Sequence, residues 1–139
     1  LTDVRILKTN HSLFSVRMND DLSVNSGGAL VNSLGGRGEK QTAGKKAEWC
    51  DYSGIHCSVT EGIAVFDAPE NIWFPSPWFT RDYGFFSPTG LYWMDEDSLD
   101  ITAGDSLSLR YRVVVHGGDS RQADIASLYD EWLEKLETP

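Results

Sequence analysis

The sequence predicts an all-β fold, an antiparallel β-sandwich carrying one C-terminal amphipathic α-helix. Three observations carry that prediction. Short apolar runs of strand length recur between clusters of turn residues over the first two-thirds of the chain. Residues 107–116 alternate apolar and polar side chains, and only the last stretch shifts to a helical period. A length of 139 residues fits a single domain spanning 1–139.

Val4–Lys8 and Leu13–Met18 have strand length, with the turn cluster Thr9-Asn10-His11-Ser12 between them. The loop Asn25-Ser26-Gly27-Gly28 leads into a brief apolar run, Ala29-Leu30-Val31. Residues 32–46 are polar, glycine-rich and without periodicity, which predicts a flexible surface loop. Its Gly35-Gly36-Arg37-Gly38 does not stand between a strand and a helix, so it is not a phosphate cradle. Ala47–Tyr52 reads as a strand, and Gly62–Asp67 as a second, apolar enough to be buried on both faces. Trp73–Phe79 holds Pro75 and Pro77, which exclude a central strand or a helix and predict an extended loop presenting its rings. In the alternating strand Leu107–His116, Leu107, Leu109, Tyr111, Val113 and Val115 line one face; Ser108, Arg110, Arg112, Val114 and His116 line the other. Asp119 and Gln122 have capping-box spacing for a helix over about 120–137, and Ile125, Leu128, Tyr129, Trp132, Leu133 and Leu136 form its apolar stripe.

Composition narrows the function classes. The formal charge of −9 argues against nucleic acid or an anionic membrane surface as partner, since both need a basic footprint. No window of 18 apolar residues offers a membrane span. No secretory signal pattern opens the sequence, which starts at Leu1 rather than Met, so the compartment is left open. Cys50 and Cys57 are too few for a disulfide framework but could pair across a hairpin; the sequence leaves that open too. His11, His56 and His116 lack metal-ligand spacing, so neither a metal nor a cofactor is expected.

Three blocks carry a resemblance. Trp49-Cys50-Asp51-Tyr52-Ser53-Gly54, Gly62–Asn71 and Pro75–Phe86, extended by Asn32–Gly36 and Arg110–Asp119, resemble the PmoA-like family over roughly residues 10–120. The resemblance implies a soluble bacterial β-rich protein of about twice this length, of which this chain would be the C-terminal half. It also implies a sugar-related role, because such proteins accompany sugar dehydrogenases of the glucose–fructose oxidoreductase type. Two positions depart from the family pattern: Ala68 and Phe79 stand where the family usually has histidine.

The candidate site residues each have a structural alternative. Trp78, with Trp73, Phe74 and Phe79, is read as a stacking platform for a sugar ring or as a plug at one end of the sandwich. Trp78 is the ring expected to be most exposed. Arg81 is either a bidentate clamp for a carboxylate or the partner of an acid on a neighbouring strand. Asp82 is a candidate acid–base group or the cap of a turn, and Tyr83 joins the ligand-binding set. Trp49 and Asp51 share one strand face, a ring and a carboxylate that would suit a sugar, with Cys50 and Tyr52 on the other. Tyr52 is a further ligand-binding candidate. His116 shares a cationic face with Arg110 and Arg112 that could hold an acidic sugar.

Together these predict recognition or processing of a sugar, oligosaccharide or sugar derivative. Asp51, Asp82 and His116 are the catalytic candidates for lyase or hydrolase chemistry. The alternative is a non-catalytic binding or interaction domain that completes a larger protein, pairing with a missing N-terminal half or a second copy. The sequence does not decide whether the protein is an enzyme, since no nucleophile–base or paired-carboxylate motif is present.

Overall fold

The computed structural model describes residues 1–11 and 13–137. Among them, three antiparallel sheets are formed. β1 (Val4–Leu7) pairs with β8 (Ser98–Ile101) as a two-stranded ribbon. β2 (Val16–Arg17), β7 (Phe85–Ser87) and β6 (Phe79–Arg81) make a small sheet in the order β2-β7-β6. β3 (Ala29–Asn32), β4 (Trp49–His56), β5 (Val59–Asp67) and β9 (Tyr111–Gly117) make the main sheet in the order β3-β4-β5-β9. A short α1 (Gly38–Thr42) follows β3, and α2 (Ile125–Glu137) ends the fold. The mainly-β class with one C-terminal helix is what the sequence predicts.

Strand alternation divides the main sheet between two cores. Cys50 and Tyr52 of β4 and Val65 of β5 pack with Met18, Leu22, Leu30, Trp78 and Phe86, filling the space toward the small sheet. Trp49 of β4 and Ala64 and Phe66 of β5 point the opposite way, onto Ile125, Tyr129 and Trp132 of α2. The layers are therefore small sheet, main sheet and helix. β4 and β5 are buried on both faces along most of their length because both faces are covered.

Several local expectations need correction. Residues 32–46 are not a flexible loop: they fold through α1, whose Thr42 is buried and shares a hydrogen bond of 2.7 Å with Thr80 of β6. The sequence shows no period there because the segment is held by side chains distant in the chain. The alternating strand begins at Tyr111 rather than Leu107, since β5, its one neighbour among the described residues, ends its ladder at the Asp67–Tyr111 pair. The capping box forms as expected, with Asp119 Oδ1 accepting from the Arg121 and Gln122 amides and Gln122 Oε1 accepting from the Asp119 amide. It caps a turn, however. Asp124 at φ +51° interrupts the helical path, so α2 starts at Ile125 instead of Ser120. Cys50 is buried, Cys57 is exposed, and both are free thiols. No helix of the described residues is long and apolar enough to cross a membrane.

Trp78 is the largest correction. Its segment does leave the sheet, but the ring turns inward and is fully buried. Backbone bonds from the Trp78 amide to the Lys45 carbonyl and from the Gly44 amide to the Trp78 carbonyl fasten it to the strand-like stretch before β4. Its indole N–H then donates to the Ala47 carbonyl at 2.8 Å, so even the polar edge is satisfied indoors. The buried Trp78 and Phe79 anchor the sandwich, while Trp73 and Phe74 stay half-buried.

Candidate functional site

The sequence-derived candidates fall into four places. Tyr52 lies in the inter-sheet core beside Trp78. Its hydroxyl accepts from the Val24 amide at 3.0 Å and donates to the Asp82 carbonyl at 2.9 Å, and burial pushes its ionisation up. Arg81 donates to Glu39 Oε1 at 3.0 Å while its guanidinium covers the Phe79 ring at 4.0 Å. Asp82 Oδ1 accepts from the Glu39 amide at 2.7 Å, and Glu39 Oε2 accepts from the Asp82 amide at 3.2 Å. Arg81 and Asp82 thus stitch α1 onto β6, with neither aimed at a shared cavity. Tyr83 sits on the β6–β7 turn, exposed, under the Arg17 guanidinium. Asp51 and His116 bond to each other directly, and Trp49 shares their side of the main sheet.

They meet on the helix-facing side of the main sheet. His116 belongs to β9 and Asp51 to β4, with β5 between them. The imidazole can cross that gap because β5 carries only Gly62 and Ala64 beneath it. A Cβ at Gly62 would lie 2.7 Å from His116 Cε1 and 2.7 Å from Ser53 Cβ, so any larger residue blocks the crossing. The result is a bond of 2.6 Å between His116 Nε2 and Asp51 Oδ1, with side chains 6% and 0% exposed. Such a short contact between buried ionisable groups is charge-assisted.

Each group shifts the other. The Asp51 carboxylate holds the His116 imidazolium above its ordinary range, with burial opposing. Burial pushes Asp51 upward, and its bond to His116 pulls it back only in part. Both shifts favour the protonated form of the group. Ser53 stands beside Asp51, and the backbone of Gly117 and Gly118 beside His116. Even so, Asp51 Oδ2 and His116 Nδ1 are buried without a hydrogen-bond partner of good geometry. An unsatisfied atom on each partner of one buried pair is uncommon and calls for an explanation.

A cleft of about 430 Å³ opens on the same side of the main sheet, lined by neighbours of Asp51 but not by Asp51 or His116. Its floor includes Val31, the cross-strand partner of Asp51, and Trp49, two residues before Asp51 on the same strand face. Its walls come from the β3–α1 connection, with Arg37, and from the turn before α2, with Ser120, Arg121 and Asp124. Arg37 and Arg121 have no carboxylate partner among the described residues, although acids outnumber bases 21 to 12. The sequence reading missed Arg37 and Arg121. The former stood in a presumed loop and the latter in a presumed helix, so no periodicity joined them.

Two further buried groups were missed, and their geometry is architectural. Asp67 accepts from Asn71 Nδ2 at 2.7 Å and from the Ser76 amide at 2.8 Å. Asn71 in turn clasps the backbone of Arg110, donating to its carbonyl and accepting from its amide, both at 2.7 Å. This tie fastens the proline-containing segment to the entry of β9. Among the described residues, no group of three His, Cys, Asp or Glu is arranged to hold a metal ion.

Comparison with curated proteins and with solved structures finds no match. The resemblance to the PmoA-like family is overturned, because the family model that matches the chain is a different one and covers residues 1–130. The blocks that suggested it, the Trp49–Gly54 strand and the Trp78–Phe86 region, belong to the two packed cores. With it go the expectations of Ala68 and Phe79 as lost histidines and of the chain as half of a PmoA-like protein. The chain belongs to the family of unknown function DUF6807.

Proposed function

We propose that the cleft between the β3–α1 connection and the turn before α2 binds a small anionic sugar derivative, with the buried Asp51–His116 pair on the same side of the main sheet supplying or taking a proton. The observation that carries this reading is the pair itself, buried, mutually bonded, and left with one unpartnered atom on each side. Buried unsatisfied polar atoms of that kind call for an explanation, and a catalytic role is one that supports this reading. Trp49, 9% exposed in the helix-facing core, lends the cleft a small apolar patch, and Arg37 and Arg121 offer forked donors for a carboxylate. Trp78, Arg81, Asp82 and Tyr83 have no part in this site.

The test is a binding screen by thermal shift and calorimetry with uronic and aldonic acids beside their neutral parent sugars, and product analysis of every hit. Acids are expected to raise the melting temperature where the neutral sugars do not. An Arg37→Ala/Arg121→Ala variant should lose at least about tenfold in affinity, about 1.4 kcal/mol. Equal binding of neutral and acidic sugars, or no binding of any acid at millimolar concentration, overturns the reading.

A second reading, a non-catalytic interaction domain, is favoured by one observation. β9 is an edge strand of the main sheet and leaves Val113 and Val115 exposed, the latter at 77%. Self-association through that edge would give a concentration-dependent mass in sedimentation, abolished by Val115→Lys.

A further inference from the structure

At the far end of β4 from the cleft, the β4–β5 hairpin turns on Cys57 and Ser58, both at positive φ (49° and 65°). That turn brings the exposed Cys57 thiol back against the ring of His56, with Sγ 3.3 Å from Nε2. The other ring nitrogen, Nδ1, lies 3.1 Å from Oδ2 of Asp21. Asp21 comes from the single turn of 3₁₀ helix Asp20–Leu22, 35 positions away in the chain. Thiol, imidazole and carboxylate are therefore in line, and they are drawn from two separate elements.

The carboxylate fixes the ring. With Nδ1–H donating to Asp21, Nε2 is left with its lone pair toward the thiol and can accept the Sγ proton. This is the arrangement that makes a cysteine nucleophilic. The thiol is exposed on a hairpin tip, outside the cleft described above. A reaction that needs no enclosing cavity fits such a position, and exchange with a small disulfide is one.

We propose that Cys57 is a site of thiol–disulfide exchange with low-molecular-weight disulfides, activated by His56 and oriented by Asp21. His56 Nε2 takes the Sγ proton, and the thiolate attacks one sulfur of the disulfide RSSR. A Cys57 Sγ–S bond forms as the S–S bond of the reagent breaks. The departing RS⁻ takes the proton from the imidazolium and leaves as RSH. Cys57 is thereby oxidised to a mixed disulfide, and one half of the reagent is reduced. Cys50 cannot resolve the adduct. It is buried near the other end of β4, seven residues and about 23 Å away along an extended strand. The mixed disulfide therefore persists until an external thiol removes it.

The experiment follows the reaction of the full chain with oxidised glutathione and with an aromatic disulfide reporter across pH, locating the adduct by peptide mass spectrometry. The expected adduct is on Cys57, and Cys57→Ser abolishes it. At about pH 7, His56→Gln should slow the reaction at least about tenfold and Asp21→Asn at least about threefold. The difference should close near pH 9.5, above the ordinary thiol range of about 8.5, where no base is needed. Each variant is checked for an unchanged melting temperature, and His56→Asn provides a second base-free variant if His56→Gln misfolds. Equal rates for wild type and both His56 variants at about pH 7, a gap that persists unchanged at high pH, or an adduct on Cys50 overturns the proposal.

Discussion

Replacing Trp78 by alanine tests whether the proline-flanked aromatic segment is an anchor or a platform. The ring is fully buried between the two sheets, stacked on Phe86 at 6.3 Å with an interplanar angle of 20°. Truncation leaves a cavity and removes the apolar contacts, a cost of about 3–5 kcal/mol for an aromatic residue. It also strips the Ala47 carbonyl of its donor at a site 1% exposed, for about 1–3 kcal/mol more. The two losses overlap because the emptied space can admit water to that carbonyl, so the net expectation is about 5 kcal/mol. A domain of this size has about 5–15 kcal/mol in total, and Trp78→Ala will therefore be largely or wholly unfolded near room temperature. Trp78→Phe is the informative companion. It keeps most of the stacking but loses the indole donor, and is expected to cost about 2–3 kcal/mol, or about 4–10 °C in melting temperature. Urea titration followed by circular dichroism should show the midpoint falling with the slope unchanged. A loss below about 1 kcal/mol for Trp78→Ala would place the ring outside the core and refute the packing argument.

Two other outcomes are expected. His116 and Asp51 both bind protons more tightly in the folded chain than their ordinary values of 6.5 and 3.8 allow. Their joint contribution to stability is therefore complete at low pH and drains away as pH rises through the folded titration of the pair. Melting temperature should fall more steeply with rising pH above about 6.5 in wild type than in Asp51→Asn/His116→Gln; parallel curves would show that the pair is not linked to folding. Asn71→Ala, which leaves buried Asp67 short of a donor and the Arg110 amide without its acceptor, should cost about 2–4 kcal/mol by denaturant titration. A cost under about 0.5 kcal/mol would mean that the clasp is redundant.

The sequence made the main sheet legible because β4, β5 and β9 have long apolar or alternating stretches, and burial on a pleated surface writes itself into a period of two. It hid β6 and β7, three residues each, since a strand that short has no period to detect. α1 was hidden for another reason: its Glu39 amide is capped by Asp82, a residue 43 positions away. The same split applies to the site. That Trp49 and Asp51 share a face follows from strand geometry alone. The reach of His116 across Gly62 to Asp51 depends on strand order, which the linear sequence does not encode. Trp78 was misjudged because prolines specify that a segment departs from the sheet but not which way its rings turn. The direction is set by the Ala47 carbonyl, available only once β4 is in place.

The ribbon of β1 and β8 bears on how the chain reaches its native state. Leu7 pairs with Ser98, and Val4 with Ile101, so the contact closes a loop of about 90 residues. Chain-entropy scaling puts that closure at about 4 kcal/mol before any reward arrives. The reward is small, because Val4 and Leu7 stay 51% and 66% exposed and the Arg5–Asp100 pair lies in solvent. Such a contact belongs late on the route, after the hairpin of β4 and β5 has formed from neighbouring residues. It is also the first to open, so amide protons of β1 and β8 should exchange by local fluctuation while those of β4 and β5 wait for global unfolding.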